Sequence, residues 1–188
     1  MDEKQNRVDF FLTPERMAEL GVWQYGSVPT DKIPFSEAAR KMCEDNVCRS
    51  YGTSWACPPA VGTVAECRER CLAYTDLLVF SGCYPLEDSF DYEGMVAAAG
   101  EFKNTCGRLY EEVKKTVSDF LLLSNGKCSR CSACTYPDAP CRFPEQLYPA
   151  LEGYGVLVSE LAAKAKVNYI NGANTVTYIG GILWNSNG

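Results

Sequence analysis

Lys127–Pro144, KCSRCSACTYPDAPCRFP, constrains this chain more than any other stretch, because it spaces Cys128, Cys131, Cys134 and Cys141 as C-x2-C-x2-C-x6-C. Each two-residue spacer forms a tight turn that draws its flanking thiolates together, so three sulfurs surround one corner of space. A polynuclear iron–sulfur cluster needs that arrangement, because its cysteines bind separate irons of one compact cube. Structural zinc usually takes two C-x2-C pairs from separate loops and holds them as a tetrahedron. The uninterrupted triple and trailing cysteine therefore predict a 4Fe–4S cluster. Zinc is the alternative, and reactive or disulfide-forming thiols stand behind it.

A second cysteine group lies upstream. Cys43–Pro59, CEDNVCRSYGTSWACPP, carries Cys43, Cys48 and Cys57, with Gly52 and two prolines that predict a fixed, non-helical loop. In a Cys-Pro step the ring stops helix propagation and leaves one N–H fewer beside the sulfur. Tyr51 and Trp55 are either ordinary core or a shield against water. The trio predicts a second cluster, completed by Cys83, Cys67 or Cys71, or left with one open iron. In a second partition, as in two-cluster ferredoxins, Cys141 serves the upstream trio instead. The six residues between Cys134 and Cys141, with Pro137 and Pro140, are long enough to loop back, which favours the first partition. An open iron can bind substrate as a Lewis acid, whereas a fully ligated cluster moves electrons or supports the fold.

Composition narrows the setting. The chain has 188 residues, which suits one domain over 1–188, and 11 cysteines, an odd number that resists full pairing. MDEKQNRVDF has acidic residues and no apolar run, so no signal peptide is expected, and no window approaches the ~18 apolar residues of a membrane span. The expected location is the cytoplasm, where thiols stay reduced and cysteine clusters mean metal or catalysis. With no histidine, His-ligated zinc, Ser-His-Asp and Cys-His catalysis are all excluded. A net charge of −6 and a pI near 4.8 argue against a nucleic-acid partner. No phosphate loop, dinucleotide fingerprint or acid–base carboxylate pair of diagnostic spacing is present.

Local patterns predict an α+β fold with a mixed, largely antiparallel sheet, packed helices and the two cysteine-rich metal-binding loops. Pro14–Leu20 reads as a short helix capped by Thr13, and Gly21–Pro34 as loop. Phe35–Asp45 reads as a helix with Ser36 as cap and Ala38, Ala39 and Met42 as its apolar stripe. Thr63–Tyr74 is a helix with a Thr63/Glu66 capping box. On it Cys67 and Cys71 share a face, as ligands or as small core. Asp76–Cys83 is a buried strand. Tyr92–Val117 is a long helix whose stripe is Met95, Ala99, Phe102, Cys106, Leu109, Val113 and Val117, with Cys106 read as a core thiol. Asp119–Ser124 is the helix end or a strand. Ser159–Lys166 is a capped helix. Val167–Ile170 and Thr175–Trp184 are strands joined as a hairpin at Asn171-Gly172. Gly180-Gly181 marks a bulge or a close backbone approach.

These residues resemble a widespread domain-of-unknown-function family of predicted metal-binding proteins of anaerobic prokaryotes. The upstream element of that family is matched by Cys43, Cys48, Tyr51, Gly52, Cys57, Pro58 and Pro59. Its downstream element is matched by Gly126, Cys128, Cys131, Cys134, Cys141, Arg142 and Pro144. The resemblance spans roughly 40–184 and implies cubane clusters in a cytosolic protein, without implying a particular reaction. Cys67, Cys71, Cys83 and Cys106 lie outside its motifs.

The expected function is a soluble protein with two 4Fe–4S clusters that passes electrons to or from an unidentified redox partner. The alternatives are an enzyme using an incompletely ligated cluster as a Lewis acid, with Glu44, Asp45 and Tyr51 as the nearest polar groups, and a structural zinc module. Lys127, Arg130 and Arg142 flank the downstream run. There they offset thiolate charge, or else dock an acidic partner and tune the potential. Neither a membrane nor nucleic acid is an expected partner.

Overall fold

Asp76–Pro85 is apolar on both faces, and in the computed structural model it is the inner strand β2, buried along its first seven residues. Continuous burial of a strand requires cover on both sides. The structure describes residues 12–186; the N-terminal stretch read above for a signal peptide lies outside them. Their four strands are β1 (Gln24–Pro29), β2, β3 (Phe120–Leu123) and β4 (Thr175–Trp184), ordered β1-β2-β4-β3. The three strand pairings are antiparallel and an isolated parallel bridge joins Ser124 to Ala150, which gives the α+β fold with a largely antiparallel sheet expected from the sequence.

Helices α1 (Pro14–Glu19), α2 (Glu37–Glu44), α3 (Val64–Leu72), α4 (Tyr92–Val113) and α5 (Val158–Lys164) supply the cover. Leu78, Phe80 and Ile182 pack with Met17 of α1 and Phe102, Cys106 and Leu109 of α4. From the opposite face Leu77, Val79 and Leu183 pack with Cys67 and Cys71 of α3 and Leu161 of α5. The alternation of strand side chains thus divides one sheet between two apolar clusters.

Thr13 caps α1, Ser36 caps α2, and Thr63 with Glu66 forms the expected capping box on α3. Several other expectations are corrected. Gly21–Pro34 contains a strand: six residues of β1 pair with β2, from Gln24 opposite Ser81 to Pro29 opposite Asp76. Its Gly and Pro punctuation is tolerated because β1 is an edge strand. Val167–Ile170 forms no strand. Val167 instead turns inward, its N–H bonding Ala162 O at 2.9 Å, and β4 pairs with β2 and β3 rather than with a hairpin partner. Leu157, not Ser159, precedes α5, which begins without a side-chain cap. On α2, Met42 is 71 % exposed while Ala39 and Arg40 are buried, so the packed face is rotated from the expected stripe. Helix α4 ends at Val113 and buries Ala98 in place of Ala99.

Gly180 and Gly181 sit in an unbroken register, so close approach rather than a bulge explains them. A Cβ at Gly180 would stand 2.6 Å from Phe80 Cζ and 2.9 Å from Leu123 O. Gly26 is tighter, because a Cβ there would meet the backbone oxygen of Ala165, at the end of α5, at 2.0 Å. Backbone cannot yield as a flexible side chain does. Gly26→Ala is therefore expected to cost about 1–3 kcal/mol by overpacking. Melting temperature should fall by about 2–4 °C per kcal/mol. A wild-type melting curve would show that β1 and α5 do not pack this closely.

Candidate metal centre

Both ends of the downstream cysteine loop are pinned beside the sheet. Leaving β3, Ser124 is fully buried; its N–H bonds Pro149 O at 2.7 Å, and Leu151 N–H bonds Ser124 O at 2.9 Å. Gly126 then takes φ +51°, a left-handed turn suited to glycine, and directs the chain outward. Within the loop, Thr135 Oγ1 donates to Pro140 O at 2.8 Å and Arg142 Nη1 donates to Ala133 O at 2.9 Å. Arg142 thereby ties the far end of the run back to its middle. Arg130 lies over the Phe143 ring at 5.2 Å.

Cys128, Cys131, Cys134 and Cys141 all line one cavity of about 310 Å³. Ser54 and Trp55 of the upstream loop line it too. Trp55 joins the two loops: its indole N–H donates to Ala139 O at 3.1 Å, and its ring meets Tyr136 edge-on at 4.9 Å. Tyr51, paired with Trp55 in the sequence reading, does not line this cavity; its backbone N–H bonds Asn46 Oδ1 at 3.0 Å.

The upstream trio is more spread. Cys43 closes the last turn of α2 and is half-buried, Cys48 is exposed, and Cys57 is buried. Gly52 N–H bonds Pro58 O at 2.8 Å and folds the loop back on itself. Burial pushes the Cys43 thiol up to about 11; the Glu152 carboxylate adds to this ahead of Cys48 and Cys57, while Arg40 acts in the opposite sense. Burial likewise raises Cys57, to which Cys48 and Cys128 contribute and which Ser54 and Lys103 oppose. A thiol so raised is protonated at neutral pH, and binding a metal must displace that proton.

Among the described residues, no three cysteine, aspartate or glutamate side chains converge on a point that would hold one metal ion. The four downstream cysteines share the walls of a cavity instead. Three features of these residues fit a polynuclear anionic group. Ser54 is 4 % exposed and sets a buried hydroxyl at the cavity wall, where it also opposes the rise of the Cys57 thiol. Desolvation works to raise the Cys134 thiol, but the backbone N–H groups of Tyr136, Trp55 and Thr135, with Arg142, outweigh it and hold the thiol below its usual range. Hydrogen bonds to sulfur of this kind set cluster potentials. Arg40 is 6 % exposed, donates to Gly62 O and Cys67 Sγ, keeps Nε unpartnered, and among the described residues pairs with no carboxylate. A buried cation is costly without an anion nearby, and Cys43 lies one helical turn beyond it.

The remaining cysteines lie apart. Cys67 and Cys71 are fully buried among the core side chains of α3. Burial raises Cys71 to about 12 and Cys106 to about 11. Cys106 Sγ lies 3.2 Å from Ser124 Oγ. Cys83 pairs with Thr177, beyond the stretch of β4 that β3 covers. The sequence reading missed Ser54, Arg40, Lys103 and Glu152. Lys103, on α4, donates to Ser124 Oγ at 3.1 Å and to Asn125 O, and burial lowers its pKa. None of the four stands in a recognisable motif.

Two cysteine-rich loops meeting beside one antiparallel sheet, with thiols gathered around a cavity, define a cysteine-rich α+β protein. The chain belongs to the family described as predicted metal-binding protein (DUF2284), whose model matches residues 26–184. No curated protein and no solved structure matches it. No helix among the described residues is long and apolar enough to cross a membrane.

Proposed function

We propose that this protein carries electrons on two 4Fe–4S clusters for a redox partner in a reducing, cytoplasmic setting. Cys128, Cys131, Cys134 and Cys141 hold one cluster, and Cys43, Cys48 and Cys57 belong to the other. The observation that carries the reading is the single cavity walled by all four downstream cysteines. Thiolates spread around a space suit a cubane, where each binds its own iron, better than a lone tetrahedral zinc. That Cys141 shares this cavity supports the first partition over the exchange of Cys141 to the upstream trio. Trp55 of the upstream loop also walls this cavity and donates to Ala139 O at 3.1 Å, so the two cysteine loops lie side by side, which supports electron passage between two centres.

The test is an anaerobic redox titration followed by visible absorbance. A broad charge-transfer band that bleaches with dithionite and returns on reoxidation is expected. A colourless protein, or a band indifferent to reductant, contradicts electron transfer.

A further inference from the structure

A second cavity, of about 870 Å³, lies between α4 and the downstream cysteine loop. Helix α4 forms its floor. Cys128, Ser129, Arg130 and Gln146 form a wall that it shares with the thiol-lined cavity. Tyr148 lines it as well, its ring resting on Tyr110 at 5.7 Å. Small-molecule sites have volumes of about 300–1,000 Å³, and this cleft is of that size.

Charge inside the cleft is unbalanced. Its two carboxylates are already matched: Glu101 pairs with Arg108 at 2.9 Å and accepts from Asn104 Nδ2 at 3.0 Å, and Glu111 pairs with Lys114 at 2.7 Å. Lys103 and Arg130 also line the cleft, and neither makes an ion pair among the described residues. Lys103 Nζ donates to Ser124 Oγ at 3.1 Å and to Asn125 O, which leaves one N–H of the ammonium group. The Arg130 guanidinium rests on the Phe143 ring at 5.2 Å and gives its N–H groups to no acceptor among the described residues. Its planar fork matches a carboxylate or a phosphate. In a chain of net charge −6, two such cations in one cleft favour an anionic occupant.

The floor has room for the rest of such a molecule. Gly100 and Gly107 line the cleft two turns apart on α4, and a Cβ at either would meet nothing within 4 Å. Glycine inside a helix is less stable than alanine. Neither close packing within this chain nor a left-handed backbone requires these two. Their effect is a flat, open floor on either side of Lys103.

We propose that this cleft binds a small organic oxyanion, a carboxylate or a phosphate ester, with its acidic group between Arg130 and Lys103 and its body along Gly100 and Gly107. The Gln146 amide and the Tyr148 hydroxyl supply neutral donors and acceptors to that body. The assignment goes beyond the electron-carrier reading and does not depend on which metal the thiols hold.

The test is isothermal titration of the anaerobically purified full chain with two probes in separate arms, succinate for carboxylates and phenyl phosphate for phosphate esters. Saturable binding in one arm or both is expected, and the arm that binds identifies the acidic group. Arg130→Gln should weaken it about 10- to 100-fold, the loss of a charge-assisted contact. Gly107→Leu should also weaken it at least about tenfold, with a melting temperature at or above that of wild type, because its side chain enters open space and favours the helix. Arg68→Gln removes an exposed cation on α3 and should leave affinity unchanged. No saturable binding in either arm overturns the proposal. So does binding that Arg130→Gln and Gly107→Leu leave intact, or that Arg68→Gln weakens as much. Iron and zinc analysis of the same samples reports on the metal separately, so either reading can fail alone.

Discussion

Cys131→Ser is expected to remove about half of the bound iron, from about eight to about four per chain, with a matching loss of acid-labile sulfide and visible absorbance. A serine hydroxyl is a far poorer ligand than a thiolate for iron, and Cys131 stands in the middle of the run that walls the cavity. The upstream centre draws on a separate loop and should survive. Because Cys131 lies outside both apolar clusters, the far-ultraviolet spectrum should stay that of wild type. Cys106→Ser is the control: that thiol is fully buried against α4's own cluster and should leave the iron count unchanged. Equal iron in wild type and Cys131→Ser would separate this run from the metal altogether.

The second large effect concerns the scaffold. Phe102→Ala should destabilise the protein by about 3–5 kcal/mol, since a large buried side chain is removed and its cavity only partly collapses. Phe102 is fully buried, stacks on Phe80 at 5.6 Å and leans on Tyr178 at 6.0 Å. It fastens α4 to β2 and β4, and α4 places Lys103 against Ser124 and Asn125, at the root of the downstream loop. For a chain of this length the melting temperature should drop by about 6–20 °C. A loss below about 1 kcal/mol would mean that α4 is not seated on the sheet as described.

How much of this was legible beforehand follows from the range of the forces involved. Caps act within four residues, so Thr13, Ser36 and the Thr63/Glu66 box were readable, and each opens a helix. The apolar run at Asp76–Cys83 likewise announced β2. Strand pairing is long-range. Nothing within Gln24–Pro29 shows that it will lie against β2, and nothing in Val167–Ile170 shows that β4 takes other partners. The two cysteine loops were visible as spacing, while their meeting through Trp55 and Ala139, 84 positions apart, was not.

The most direct test of the account is purification of the full chain without oxygen, followed by iron, sulfide and zinc analysis of the same sample. Two cubanes predict about eight irons and about eight labile sulfides per chain, with no stoichiometric zinc. One zinc per chain with no labile sulfide would contradict it.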